Sequence, residues 1–426
     1  MNLDRRWLTI AYGVFTAYAA VFAGLSAGED QAWAIWAVGG YAVATIMLWG
    51  RRGLAVPLVI ALAFALVAPL IWISVGYPLE DGMNVINRSA ELLLHHGSPY
   101  LPADQVSSYL SYNPYLPLMA LFGMPAAARW PGLAGNAGVW LAIGTLIVLG
   151  AAFWVAAGPS GAGRGSARPG LGRRRQALVG AAIAVSSPVV ALNLAVITTD
   201  PPVLAFMLLT LALAAQPHRD QPARTILAAV ALAAACVLKD MAWLAIPVMI
   251  AMYWNRDGRR AAVRFTVALL AAVVVLIATL APGILTSLAA MKAMIRDTVL
   301  FPLGQTAYKT PADSLLLGHL LGQLGKAGHR LSIGLLVAVG LAVVVSLFIR
   351  PPRDVRAAAW RMAIGLTLIF ALGPDVRFGY FIYPLGLAGW VALTAPLSPD
   401  VIHHGEQLTD HRPQHGEPGQ PDEAFR

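Results

Sequence analysis

Charge is what this sequence has least of. Only 12% of its 426 residues are charged, while 58% are hydrophobic. Mean hydropathy is +0.67. An average soluble domain carries roughly 25% charge, so a soluble globular body of 45.0 kDa is excluded, and so is a disordered chain. Cysteine is nearly missing. Cys236 stands alone in an apolar run, which excludes an intrachain disulfide framework and a Cys-built metal site. Alternation of apolar and polar residues is also missing from the long apolar runs. That excludes a membrane β-barrel. What is left is an all-α, polytopic membrane protein.

A membrane-spanning helix needs about 20 apolar residues. The runs predict about twelve: 7–27, 31–49, 54–76, 135–157, 177–197, 201–216, 224–238, 240–254, 265–288, 331–349, 362–374 and 379–396. The first has the charge and length of an uncleaved anchor. The stretch 114–128 is apolar but broken by Pro114, Pro117 and Pro125, and reads as a re-entrant or interfacial piece.

Orientation follows from the arginines. Arg5/Arg6, Arg51/Arg52, Arg164 to Arg175, Arg219/Arg224, Arg256 to Arg264 and Arg350 to Arg361 fall at alternate span ends. The positive-inside rule makes that side cytoplasmic. These clusters account for most of the net charge of +9 without a nucleic-acid partner. The linker 158–175 is then a flexible cytoplasmic loop, and the polar tail 397–426 a disordered cytoplasmic end. The tail's histidines have no ligand spacing, and no His, Cys or carboxylate cluster demands a metal.

The opposite face receives the long segments 77–134 and 289–330 and several charged turns. Three of the spans bordering these turns are short, about 15 or 16 residues, roughly 24 Å at 1.5 Å per residue. Asp200, Lys239 and Asp240 therefore sit below the outer membrane surface. Such charges either line a cavity open to the outside or form a Lys239–Asp240 pair that snorkels to the interface. From Asp81 to His96 the pattern is amphipathic. Val85, Ala90, Leu92, Leu93 and Leu94 stand against Asn84, Asn87, Arg88 and Glu91, and Gly97 is a helix stop. Asp81 opens this helix, either as a capping aspartate or as a functional carboxylate.

The order of these features resembles a family. An acidic residue after a span opens an external amphipathic helix that ends in Gly97-Ser98-Pro99-Tyr100. Tyr112-Asn113-Pro114-Tyr115-Leu116-Pro117 follows. Asp200 then marks an outer turn, Leu238-Lys239-Asp240 opens a stretch running to Pro247, and Arg377-Phe378-Gly379-Tyr380 precedes the last span. Over roughly residues 54–395 this is similar to the GT-C membrane glycosyltransferases, in particular the bacterial polyprenyl-phosphate-mannose-dependent α-mannosyltransferases. Two differences stand out. About two extra spans precede the acidic loop, and Glu80-Asp81 stands where a paired Asp-x-Asp is usual.

The resemblance implies a transmembrane glycosyltransferase-like domain over 1–396 in the bacterial inner or plasma membrane, with an extracytoplasmic active site. It implies transfer of a sugar, mannose favoured, from a polyprenyl-phosphate donor to a lipid, glycan or protein acceptor. Such chemistry needs a carboxylate to take the acceptor's proton and cationic groups to stabilise the leaving phosphate. Asp81 matches the catalytic carboxylate, with Glu80 as fallback. Arg377, Lys239 and Lys309 are candidates for the phosphate, with His95 and His96 behind them. Asp200 and Asp240 position sugar hydroxyls or pair with those cations. Tyr112 is a sugar-stacking or belt residue. No cofactor is implied beyond the donor. The competing reading is a transporter or flippase of a lipid-linked sugar or small solute.

Overall fold

The computed structural model describes residues 5–50, 53–158, 171–215, 222–309, 314, 316–373 and 376–394. Apart from its ends, the 158–175 linker lies outside these residues, and so does the whole 397–426 tail. Among the described residues the chain is helical, with no strand. Seven helices are long and apolar enough to cross a membrane: α1 (Arg5–Leu25), α2 (Gly28–Trp49), α3 (Ala55–Gly76), α5 (Ala137–Ala156), α11 (Arg259–Leu280), α12 (Lys326–Ile349) and α13 (Val355–Leu372). The amphipathic helix α4 covers Asp81–His96. Shorter helices complete the bundle: α6 (Leu171–Ser186), α7 (Pro188–Ala195), α8 (Pro201–Ala215), α9 (Pro222–Leu238), α10 (Ala245–Asp257) and α14 (Phe378–Leu393).

The twelve predicted spans overlap these helices, but among the described residues seven are long and apolar enough to cross, or eight if the bent pair α6–α7 is one span. The span predicted over 240–254 begins in a 3-10 turn, Asp240–Leu244. The span predicted over 177–197 is broken. α6 and α7 meet at a bend of 62°. Pro188 has no N–H and cannot continue the first helix's ladder. The Ser186 carbonyl at the break accepts the Tyr41 hydroxyl at 2.6 Å, and its Oγ lies 2.6 Å from the Tyr12 hydroxyl. The two N-terminal helices are thus held to the bundle by polar groups that a broken helix must satisfy. α3 carries a π-turn over Ala63–Val67, and its Ala65 carbonyl accepts the Trp33 indole N–H at 2.8 Å.

α4 runs over the predicted residues. It ends where Gly97 adopts φ +64°, a left-handed conformation that favours glycine. Its Met83, Ile86 and Ala90 are buried against the short helix Pro117–Gly123, so the 114–128 stretch is not a span. Two assignments on α4 differ from the expected pattern. Leu94 is exposed. Arg88, expected on the polar face, turns inward and donates to the carbonyls of Leu110 (2.6 Å) and Ser111 (3.1 Å).

Candidate active site

The site starts where α3 ends and α4 begins. Glu80 is the N-cap of α4, and its Oε2 accepts the Gly82 N–H at 2.7 Å, satisfying a backbone donor left free at a helix start. The capping role expected of Asp81 is therefore filled by Glu80. Asp81 is exposed, and its Oδ2 accepts the Tyr109 hydroxyl at 3.0 Å. The two adjacent carboxylates face different surroundings.

Glu80 faces inward. Its Oε1 lies 3.9 Å from the Arg377 guanidinium, with the two side chains 29% and 50% exposed. A pair this loose and open to solvent contributes little stability. The Tyr115 hydroxyl joins Glu80 over Gly82. A Cβ on residue 82 would stand 2.6 Å from Glu80 Oε2 and 2.8 Å from Tyr115 Oη, so only glycine fits between them.

Below this lies a buried charge pair. Lys239 Nζ is 2.6 Å from Asp200 Oδ1, each side chain 6% exposed. The same oxygen accepts the Tyr383 hydroxyl at 2.8 Å. Lys239 Nζ also stands 4.5 Å from the centre of the Tyr380 ring and 5.8 Å from that of Tyr115. The snorkelling Lys239–Asp240 pair is thus replaced by a Lys239–Asp200 pair. Asp240 opens the turn Asp240–Leu244 and is half-buried. Asp200 is delivered by a strained backbone. Ile197 has φ +62°, which is costly for a β-branched residue. Its side chain packs where a Cβ on Gly138 would meet it at 2.1 Å.

An apolar cleft of about 140 Å³ borders the cluster, lined by Leu116, Cys236, Trp243, Leu269, Val273 and Ile277 among others. Leu116 follows Tyr115, and its N–H bonds the Leu238 carbonyl at 3.1 Å, so the cleft wall and the Lys239 turn are one connected piece. Trp243 is 46% exposed.

Other predicted residues lie elsewhere. His95 and His96 are exposed in the last turn of α4, about 20 Å along the helix from Asp81 at 1.5 Å per residue. Lys309 is exposed on the stretch after Phe301, and no contact among the described residues ties it to the cluster. Tyr112 is buried and stacks on Phe301, ring centres 4.6 Å apart. Among the described residues, no group of three or more His, Cys, Asp or Glu is placed to hold a metal.

Sequence reasoning missed Tyr109, Tyr380 and Tyr383 as site residues. Tyr380 and Tyr383 sit three apart at the start of α14, a spacing that puts both on one helix face. That was a readable signal.

Burial pushes the Glu80 carboxyl above the usual glutamate range. The Gly82 N–H and Arg377 oppose the rise, while Asp81 and Glu29 add to it. The folded protein therefore holds this proton more tightly than the unfolded chain does. The sign follows by linkage: stability falls as pH rises from the ordinary glutamate range through the raised value. Unfolding midpoints measured against pH should show this decline, and Glu80→Gln should flatten it.

Residues 165–284 match the family model for dolichyl-phosphate-mannose-protein mannosyltransferases (PMT_2). The chain is similar to the GT-C membrane glycosyltransferases. The matched stretch is less than a third of the chain. It contains Asp200, Lys239 and Asp240 but not the carboxylates of α4 or Arg377. Two solved structures of ArnT from Cupriavidus metallidurans align with this GT-C-like chain. The one bound to undecaprenyl phosphate has a TM-score of 0.49 and 18% identity, covering 84% of this chain and 63% of that one. The apo state has a TM-score of 0.46 and 18% identity, covering 82% and 61%. The chain thus spans less than two thirds of ArnT's length. No curated protein matches it.

Proposed function

We propose that this protein is a membrane glycosyltransferase. It moves a sugar, mannose favoured, from a polyprenyl-phosphate donor to a lipid, glycan or protein acceptor on the extracytoplasmic face. The observation that carries this reading is a juxtaposition. An exposed carboxylate (Asp81) and a half-exposed guanidinium (Arg377) flank Glu80, and Tyr115, beside Glu80 over Gly82, is followed by Leu116 in the wall of an apolar cleft. A lipid-linked sugar phosphate has matching parts: an apolar chain, an anionic link and a sugar. The PMT_2 match supports the reading over the segment that holds Asp200 and Lys239.

In this mechanism the acceptor hydroxyl attacks the anomeric carbon and gives its proton to Asp81. The bond from that carbon to the phosphate oxygen breaks, and both electrons leave with polyprenyl phosphate. Arg377 meets the charge that develops there, because a guanidinium forks onto phosphate oxygens. The cleft seats the start of the lipid chain. Lys239 is already paired with Asp200. Its role is to hold the rings of Tyr115 and Tyr380 beside the sugar rather than to bind phosphate. A single displacement of this kind inverts the anomeric centre.

The test supplies purified protein with labelled polyprenyl-phosphate sugars and a membrane lipid extract. Label in a new acceptor-linked product supports the reading, and label left on every donor contradicts it. Within that assay Arg377→Gln should lower kcat/KM for the donor by about 10- to 100-fold, the worth of one hydrogen bond to a charged group. Arg377→Lys should restore only part, because an ammonium lacks the fork.

A further inference from the structure

Among the described residues, the second long segment, 289–330, contributes no side chain to the two carboxylates, yet a residue on it is built into their support. Asp297 lies in a π-turn, Arg296–Leu300, and is fully buried. π-turns inside helices recur at functional sites. Its Oδ1 accepts Arg296 Nε at 2.7 Å, and its Oδ2 accepts the backbone N–H of Asn113 at 3.0 Å. Asn113 passes the constraint on. Its Oδ1 accepts the Tyr115 N–H at 3.0 Å, and its Nδ2 donates to the Pro99 carbonyl at 3.2 Å. The Tyr100 hydroxyl donates to the Tyr115 carbonyl at 2.9 Å. Arg88 holds the carbonyls of Leu110 and Ser111.

The strip 109–115 is therefore pinned at four of its seven residues. Its two ends carry the groups that meet the carboxylates: Tyr109 donates to Asp81, and the Tyr115 hydroxyl stands beside Glu80 over Gly82. We propose that Asp297 is a positioning residue. It holds the strip 109–115, and through Tyr109 and Tyr115 it fixes the Glu80–Asp81 pair in its reactive arrangement. The inference rests on the glycosyltransferase reading above. Its physical basis is that a reacting group must be held within about 0.5 Å of its productive place, and that a displacement near 1 Å costs on the order of 100-fold in rate.

The test compares Asp297→Ala, Asp297→Asn and Tyr109→Phe in the purified full chain, by donor kinetics and by hydrogen exchange of the 107–116 backbone. Asp297→Ala should lower kcat by about 10- to 100-fold, leave the donor KM within about threefold, and speed exchange over 109–115. Asp297→Asn keeps an oxygen for the Asn113 N–H, and should recover most of both. Tyr109→Phe deletes one exposed hydroxyl and disturbs no core. It should lower kcat without changing KM even where Asp297→Ala fails to fold. Unchanged exchange in Asp297→Ala overturns the proposal, as does a loss in KM with kcat intact. So does unchanged kcat in Tyr109→Phe. If the wild-type protein transfers no sugar, the glycosyltransferase reading has failed. The exchange comparison then still decides whether Asp297 holds the strip.

Discussion

Asp81→Asn should abolish sugar transfer while leaving the protein folded. The asparagine keeps an oxygen where Tyr109 donates, and the residue is exposed, so little packing or hydrogen bonding changes. What is lost is the ability to accept a proton. A positioned general base contributes about 10²- to 10⁴-fold, and the initial rate of labelled transfer should fall by that factor with the unfolding midpoint unmoved. Glu80 is the neighbouring carboxylate, so the double variant Asp81→Asn with Glu80→Gln removes any substitute base. Full turnover in that double variant would mean that neither carboxylate is the base.

Lys239→Met should be the most destabilising single change in the site. It leaves the Asp200 carboxylate buried at 6% exposure with the Tyr383 hydroxyl as its remaining side-chain hydrogen bond among the described residues. Breaking one side of a buried ion pair costs about 3–5 kcal/mol, whereas replacing both partners is often nearly neutral. Lys239→Met together with Asp200→Asn should therefore be more stable than Lys239→Met alone. Tyr383 still has an oxygen to donate to, and Met fills the space between the Tyr380 and Tyr115 rings. Thermal unfolding in detergent reads the order wild type, double, single. A double variant as unstable as the single would show that the pair's attraction is not what holds this turn.

Much of this architecture is legible in the sequence because membrane solvation enforces it. Continuous apolar runs give the spans, and the amphipathic pattern with Gly97 gives α4 over the residues observed. The break at Ser186 and Pro188 was hidden because the flanking residues are apolar on both sides. The proline alone does not say which hydroxyls, here Tyr12 and Tyr41, will satisfy the broken ladder. Within the site, the neighbouring residues were readable and the pairings were not. Lys239 and Asp240 adjoin in sequence, yet Lys239 pairs with Asp200, 39 residues away, because the 3-10 turn after Lys239 sends Asp240 elsewhere. The support from Asp297 escaped for the same reason, since it depends on a contact across 184 residues.

The most direct measurement of the central claim is transfer in detergent micelles, where no membrane separates two compartments. Purified protein is given a labelled polyprenyl-phosphate sugar and an acceptor extract, with Asp81→Asn alongside. The glycosyltransferase account predicts a labelled, acceptor-linked product from the wild type and none from Asp81→Asn. No covalent product in micelles, together with protein-dependent movement of the intact labelled donor across sealed vesicles, would contradict it and establish a transporter.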